Sequence, residues 1–380
     1  MKILMQNRYD ALINKGGDSY QMIYTKKYLE QNGVQVNIST ELTPNLENYD
    51  IIHLFNITRV HETYVQFKNA KKKNKKVVLS PIYHSINDIR NYERKNLTGL
   101  HGFIVKLFKD TNKIQLIKTL YYTYKYPSTW YSWITQVRKG YTGQQKELLK
   151  NADYILPNSE LEMKSIKEEL FNSENVKLKY DIVYNGIENI NYEESTRILD
   201  WLKINEIKDF VLCSGRIEPR KNQLTVIQAL KNDEIKIVFA GALNKMHHSY
   251  SKEFLKQVRQ NRNLFYIGEV KRDEIMTLNK YAKVSVLASW FETTGLVGLE
   301  SGITGCNVVV TEKGYAREYY REYAWYCNPE SLPSIRDSVI SAYNAPRGSK
   351  QLEEHIQQMG LTWEQAAKKT AEIYKKILQS

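Results

Sequence analysis

Two glutamates, Glu292 and Glu300, stand with seven residues between them in the run Ser289-Trp290-Phe291-Glu292-Thr293-Thr294-Gly295-Leu296-Val297-Gly298-Leu299-Glu300. The stretch before them, Val284-Ser285-Val286-Leu287-Ala288, is short and valine-rich, which predicts a buried parallel strand. A helix is expected to start near Gly295, so Glu292 precedes it and Glu300 falls within its first two turns. Free backbone N–H groups at a helix start favour an anion, phosphate above all. The carboxylates could then hydrogen-bond hydroxyls on either side of a bound diphosphate, which a sugar nucleotide supplies. An ordinary helix whose first-turn acids complement its dipole accounts for the pair equally well.

A second segment bears on that choice. Phe210-Val211-Leu212-Cys213-Ser214 reads as a strand and is followed by Gly215-Arg216-Ile217-Glu218-Pro219-Arg220-Lys221-Asn222. Pro219 fits a first helical position, and Leu224, Ile227 and Leu230 give the next helix an apolar face. Arg216 and Lys221 therefore belong to a strand-to-helix loop at the carboxyl edge of a sheet, where α/β folds bind ligands. Arginine offers a planar fork and lysine a point charge, a workable pair for a diphosphate. A solvated basic loop is the alternative.

Taken together, these residues resemble the retaining glycosyltransferases with the GT-B fold, family 4. The resemblance runs through Gly16-Gly17, Pro157-Asn158-Ser159-Glu160, Tyr184-Asn185-Gly186-Ile187-Glu188 and Ser214-Gly215-Arg216 with Lys221. It continues through Tyr266-Ile267-Gly268-Glu269-Val270, the Glu292/Glu300 pair and Gly305-Cys306-Asn307-Val308-Val309-Val310-Thr311. It implies an α/β chain of two Rossmann-like parallel-sheet domains facing each other across a cleft. It further implies that Arg216 and Lys221 bind the donor diphosphate, that Glu300 meets the ribose hydroxyls, and that Glu292 faces the donor sugar. Gly16, Gly17, Gly215, Thr294, Gly295 and Leu296 join the donor site, and the backbone near Val270 meets the base. His84, after the strand Val77-Val78-Leu79-Ser80, is the first-half candidate to approach the sugar; a structural hydrogen-bonded histidine is the equal alternative. The implied reaction is hexosyl transfer from a UDP- or GDP-linked donor to a lipid-linked or polysaccharide acceptor, in bacterial surface polysaccharide or glycolipid assembly. By the same analogy the acceptor attacks from the leaving-group face, and the diphosphate takes its proton.

The chain also departs from that pattern. Thr293-Thr294-Gly295 stands where Gly-Phe-Gly is usual, Asn307 replaces a common proline and Ser301 a common alanine. Gly295 keeps the position where backbone must approach phosphate. The threonines fall on the sugar side, so the identity of the sugar does not carry over from the resemblance.

No Asp-x-Asp occurs, so a metal-held diphosphate is not expected, nor is any cofactor. No Gly-x-Gly-x-x-Gly follows the first strand, which weighs against a nicotinamide dehydrogenase. Cys213, Cys306 and Cys327 are far apart and suit free thiols in a reducing cytosol. Neither a signal peptide nor a run of roughly 18 apolar residues is present, so a cytoplasmic protein is expected.

At 380 residues the chain suits two domains, an acceptor-binding domain over 1–188 and, after a linker over 189–205, a nucleotide-sugar domain over 206–360; the resemblance implies that a last helix over 361–380 returns to the first. Asp18 is the expected cap of the first helix, His53 the expected core histidine, and His247-His248 a surface loop. Residues 61–150 hold 18 Lys/Arg against 5 Asp/Glu, an excess equal to the whole chain's net charge of +13. Within them a basic aromatic insertion spans about 100–145, with His101 a lesser site candidate. Lys106, Lys109, Lys113 and Lys118 interleaved with Trp130 and Trp133 suit an anionic membrane surface at the inner face. A solvated insertion with aromatics packed on the domain is the alternative, and nucleic acid is not expected. Two other functions stay open: a non-transferase such as a nucleotide-sugar epimerase, and a basic membrane- or RNA-binding module with a vestigial nucleotide pocket.

Overall fold

A computed structural model describes residues 1–96, 110–173, 176–188 and 192–379. His101, Lys106 and Lys109 lie outside the described residues, as do 189–191 of the expected linker. The chain forms two compact units, Met1–Gly186 with Thr362–Ser380, and Ile187–Leu361.

In the first unit, β1 (Lys2–Gln6), β2 (Gln35–Ser39), β3 (Ile51–Phe55), β4 (Lys76–Ser80) and β5 (Tyr154–Ile155) form a parallel sheet in the order β2-β1-β3-β4-β5. Every residue of β3 is buried, which is why it reads as an apolar run rather than an alternation. His53 sits in that run because both ring nitrogens are met. Nδ1 lies 2.6 Å from the Tyr374 hydroxyl and Nε2 2.9 Å from the Ser80 hydroxyl. Tyr374 comes from the helix Trp363–Gln379, whose Ala367, Thr370, Tyr374 and Ile377 recur at helical spacing and are buried. That helix packs on Gly17–Gln31, with the Trp363 and Tyr24 rings stacked at 5.3 Å.

The second unit holds β6 (Val211–Ser214), β7 (Ile237–Ala240), β8 (Leu264–Gly268), β9 (Val284–Leu287), β10 (Asn307–Thr311) and β11 (Trp325–Cys327). They too are parallel, in the order β11-β10-β9-β6-β7-β8. The order reverses between β6 and β9, where Val211 pairs with Val284. In the first unit it reverses between β1 and β3. Loops leaving the carboxyl ends of strands at such a switch point run in opposite directions and leave a crevice for ligands.

Two local expectations are corrected. Thr196–Ile204, expected within the linker, is a helix whose Ile198 and Leu202 are buried against Phe210 and Leu212. A four-residue apolar spacing sufficed for one face there. Asp18 does not cap the first helix: the cap is Gly16, and the Asp18 carboxylate is taken by Arg8, with Nε at 2.7 Å. Among the described residues no helix is long and apolar enough to cross a membrane.

Burial holds His53 neutral, pushing its pKa down to about 3, and burial also lowers that of His61. In the unfolded chain a histidine titrates near 6.5, so the unfolded state binds the extra proton between these values. The stability is present above about pH 6.5 and is lost as the pH falls. Urea unfolding from pH 7 to 4.5 should show His53 contributing about 1.4 kcal/mol per pH unit. The slope should flatten by about one proton's worth in His53→Asn. An unchanged slope would mean that His53 is protonated in the fold.

Candidate functional site

The β6–β9 switch point gathers the predicted cations and the first glutamate. After β6 the chain runs through Gly215 and Arg216 into the 3-10 turn Pro219–Lys221, led by proline as the fixed φ favours, and Asn222 then adopts a left-handed conformation. Asn222 ties this loop to its neighbour, donating from Nδ2 to the carbonyls of Ala288 (3.1 Å) and Pro329 (2.9 Å). The Trp290 backbone N–H donates to the Arg220 carbonyl at 2.9 Å, and Arg220 Nη1 to the Phe291 carbonyl at 3.2 Å.

These bonds bring Lys221 Nζ within 2.6 Å of Glu292 Oε1, with Arg220 Nη1 at 3.8 Å. Glu292 is buried. Burial alone would raise its pKa, but the Lys221 ammonium and Arg220 guanidinium outweigh it and bring the carboxyl down to about 2. Its backbone is fixed from the far side: its N–H donates to the Lys313 carbonyl, and the Tyr315 N–H donates to its own carbonyl at 2.8 Å. Gly314 makes this possible, since it has φ of +83° and an added Cβ would lie 2.2 Å from the Glu292 carbonyl oxygen.

Glu218 forms a second, deeper layer. It is buried and holds Arg216 Nη2 at 3.4 Å, Arg220 Nε at 3.5 Å and Asn244 Nδ2 at 2.7 Å. Burial pushes its pKa up, while Arg220 and Arg216 win and leave it lowered. Arg216 itself remains 44% exposed, so its guanidinium is available to an anion. Ser214, at the end of β6, has a buried hydroxyl oxygen with no hydrogen-bond partner among the described residues, and with Lys221, Gln223 and Ser289 it lines a small cavity.

Gly295 caps the helix Leu296–Gly302 in a left-handed conformation, and its carbonyl accepts from the Tyr320 hydroxyl at 2.5 Å. The helix has only seven residues. Its dipole is worth roughly 0.3–1 kcal/mol against about 1.5–3 for each charge-assisted contact, so the cations dominate any anion binding here. Thr294 is buried beside the cap. Glu300 lies further along, 3.3 Å from Arg272 Nη1, which also meets Glu188 at 3.0 Å. Burial raises the Glu300 pKa, Arg272 opposes this only in part, and Glu188 adds to it. Val270 packs against the core cluster that includes Leu278.

Gly16, Gly17 and His84 belong to the first unit. Gly16 is extended and crowded by Asp18 and Arg8, Gly17 faces open space, and His84 is half-buried beyond β4. His247-His248 lies at the surface, His248 exposed and His247 half-buried, but in regular structure rather than a loop: the pair joins the 3-10 turn Lys245–His247 to the helix His248–Gln260. Burial lowers the His247 pKa, with Glu218 and Arg216 near it. Sequence reasoning passed over Arg220, Glu218, Arg272 and Gly314. Arg220 was visible as the neighbour of Lys221, and Glu218 as the acid between Arg216 and Arg220; Arg272 and Gly314 are defined only by contacts between distant segments. Among the described residues no group of three His, Cys, Asp or Glu is placed to hold a metal ion.

Residues 195–359 match the family of glycosyl transferases group 1. An uncharacterized glycosyltransferase of Methanocaldococcus jannaschii is 27% identical over 235 residues, covering 56% of this chain and 58% of that relative's length. Among solved structures, sucrose-phosphate synthase from Thermosynechococcus elongatus matches with a TM-score of 0.73 at 13% identity, over 100% of both chains. HepE of Anabaena, determined in complex with UDP, matches with a TM-score of 0.69 at 15% identity, over 99% of this chain and 100% of that one. At such identities the likeness is one of fold.

Gly314→Ala should cost about 1–3 kcal/mol, because the residue is held at positive φ against backbone. A thermal melt should show the fall, and an unchanged midpoint would mean that the Glu292 segment is not pinned as described. The chain thus has the GT-B fold, and its residues 195–359 match glycosyl transferases group 1.

Proposed function

We propose that this chain is a retaining, metal-independent glycosyltransferase that moves a hexose or hexose derivative from a nucleotide-diphosphate sugar to an acceptor hydroxyl. The observation that carries the reading is the buried Lys221–Glu292 pair, flanked by Arg220 and the half-exposed Arg216, at the switch point of the matched segment. In this reading the bond between the sugar C1 and the diphosphate oxygen breaks, and its electron pair leaves with the diphosphate. Arg216 and Lys221 stabilise that charge through preorganised contacts. The acceptor oxygen bonds C1 from the same face, and its proton passes to the departing diphosphate oxygen. Glu292, ionised by its cations, orients the sugar hydroxyls, and Glu300 receives the ribose.

A UDP-linked donor is favoured, since HepE was determined with UDP-glucose. The acceptor is lipid-linked or a polysaccharide, and the product a surface polysaccharide or glycolipid. In the same reading Gly16 and Gly17 serve donor binding, and His84 approaches the donor sugar.

Arg216→Ala and Lys221→Ala should each weaken UDP binding by about 1.5–3 kcal/mol, roughly 10- to 150-fold, by calorimetry. Glu300→Ala should also weaken UDP, whereas Glu292→Ala should spare UDP and reduce transfer. Unchanged UDP affinity in both cation variants would remove the diphosphate assignment. A loss of UDP affinity in Glu292→Ala but not in Glu300→Ala would reverse the carboxylate roles.

Turnover should persist in excess EDTA, because protein cations take the place of a metal. Loss of turnover on chelation, restored by magnesium or manganese, would contradict the leaving-group chemistry. UDP release that needs an acceptor separates transfer from epimerisation and from binding alone.

A further inference from the structure

We infer that the helical hairpin Thr111–Lys125 and Trp130–Lys139 of the first unit is a docking surface for an anionic membrane. Its inner side is fixed in the fold: Ile114, Thr119, Ser132 and Gln136 are buried. Its outer side is apolar and basic. Lys113, Leu120 and Tyr124 follow one another at seven and four residues, a single stripe along the first helix, and all are exposed, Tyr124 to 86%. On the second helix Trp130 and Val137 form one exposed stripe, with Tyr131 and Arg138 beside it, each pair seven residues apart. An aromatic face of this kind, left to water, costs free energy unless an amphipathic phase meets it.

Charge selects the occupant. From 111 to 139 the chain contains five Lys/Arg and no Asp or Glu. Lys118 is engaged by Glu93 and Lys139 by Glu147, which leaves Lys113, Lys125 and Arg138 as the outward charges of the stripe. A surface that exposes tryptophan and tyrosine with cations that, among the described residues, have no acidic partner complements an interface of apolar chains and anionic headgroups. A second copy of the same positive face would repel it. The expectation for Lys118 and Trp133 is corrected here: Lys118 is paired inward, and the indole N–H of Trp133 is buried.

The hairpin is tied to the carboxyl edge of the first sheet, at that sheet's own switch point. The Arg59 guanidinium lies 4.2 Å from the centre of the Tyr122 ring and bonds Asp10 at 2.6 Å, while Tyr126 packs on Tyr9 at 5.3 Å. Asp10 and Tyr9 belong to the loop that follows β1, in which Leu12 and Ile13 are exposed, Ile13 to 73%. A membrane held by the hairpin would thus lie beside that edge, where an acceptor anchored in lipid would be presented. This last step rests on the transfer reading; the docking surface does not.

The test is sedimentation of the full chain with vesicles of phosphatidylcholine alone and of equal parts phosphatidylcholine and phosphatidylglycerol. Recovery should require phosphatidylglycerol and fall about tenfold between low and high salt, within the range over which surface charge is screened. Lys113→Gln/Lys125→Gln/Arg138→Gln and Tyr124→Ser/Trp130→Ser should each lose recovery, with thermal melts and UDP affinity unchanged. Equal recovery on neutral vesicles, no recovery on anionic ones, or a dimer that the same variants dissolve would overturn the docking surface. Vesicle binding without UDP binding would overturn the transfer reading and leave the surface standing.

Discussion

A carboxylate withdrawn from water costs several kcal/mol unless cations and donors replace the solvent, and breaking such a pair leaves the remaining charge stranded. Glu292 meets that condition through Lys221 at 2.6 Å and Arg220 at 3.8 Å, and the surrounding loops are arranged to keep both in place. The left-handed Asn222 turns the chain so that its amide can reach two carbonyls of neighbouring loops. Glu218 restrains the arginines from beneath, and the segment through Gly314 holds the Glu292 backbone. The ion pair gives the site a fixed, fully ionised carboxylate beside fixed cations. That fixity matters more for electrostatic catalysis than for stability, because groups already in place need not reorganise as charge develops.

Both sheets reverse strand order once, and both reversals carry charged loops, yet the two loops differ in sign. Around β1 and β3 the cluster of Arg8, Arg59, Asp10, Asp18 and Glu62 has one more acid than base, and its members pair with one another. Around β6 and β9, Arg216, Arg220 and Lys221 outnumber Glu218 and Glu292 by one, and Arg216 is half-exposed. An anion is drawn to the second and not to the first. The first network acts instead as a brace, welding the loop after β1 to Tyr122 of the helical hairpin.

Much of this was legible in the sequence, for a physical reason. Strands buried on both faces of a parallel sheet must be short apolar runs, so β3, β6, β9 and β10 announce themselves, and the residues just after them are by topology at the ligand edge. Arg216, Lys221 and Glu292 could be found that way. What stayed hidden depends on contacts between segments remote in the chain. Gly314 looks like any turn glycine until Glu292 is placed against it, and Arg272 looks like a solvated helix residue until Glu188 and Glu300 approach it. Thr196–Ile204 carries a helical period in Ile198, Trp201 and Leu202, but the polar residues just before it placed it in the linker.

Glu300 is the counterpart that sharpens the role of Glu292. Both carboxyls lose water, but Glu292 is met by two cations and is held strongly ionised, whereas Glu300 shares the single Arg272 with Glu188 and ends with a raised pKa. A carboxylate committed to fixed cations can orient a substrate without changing its own charge. One whose cation is divided between two acids has bonding capacity left over, and hydroxyl donors would satisfy it without displacing a strong ion pair. The same residue type thus supplies a rigid electrostatic element ahead of the helix Leu296–Gly302 and a receptive hydrogen-bond acceptor within it, and the number of cations each can claim sets the two apart.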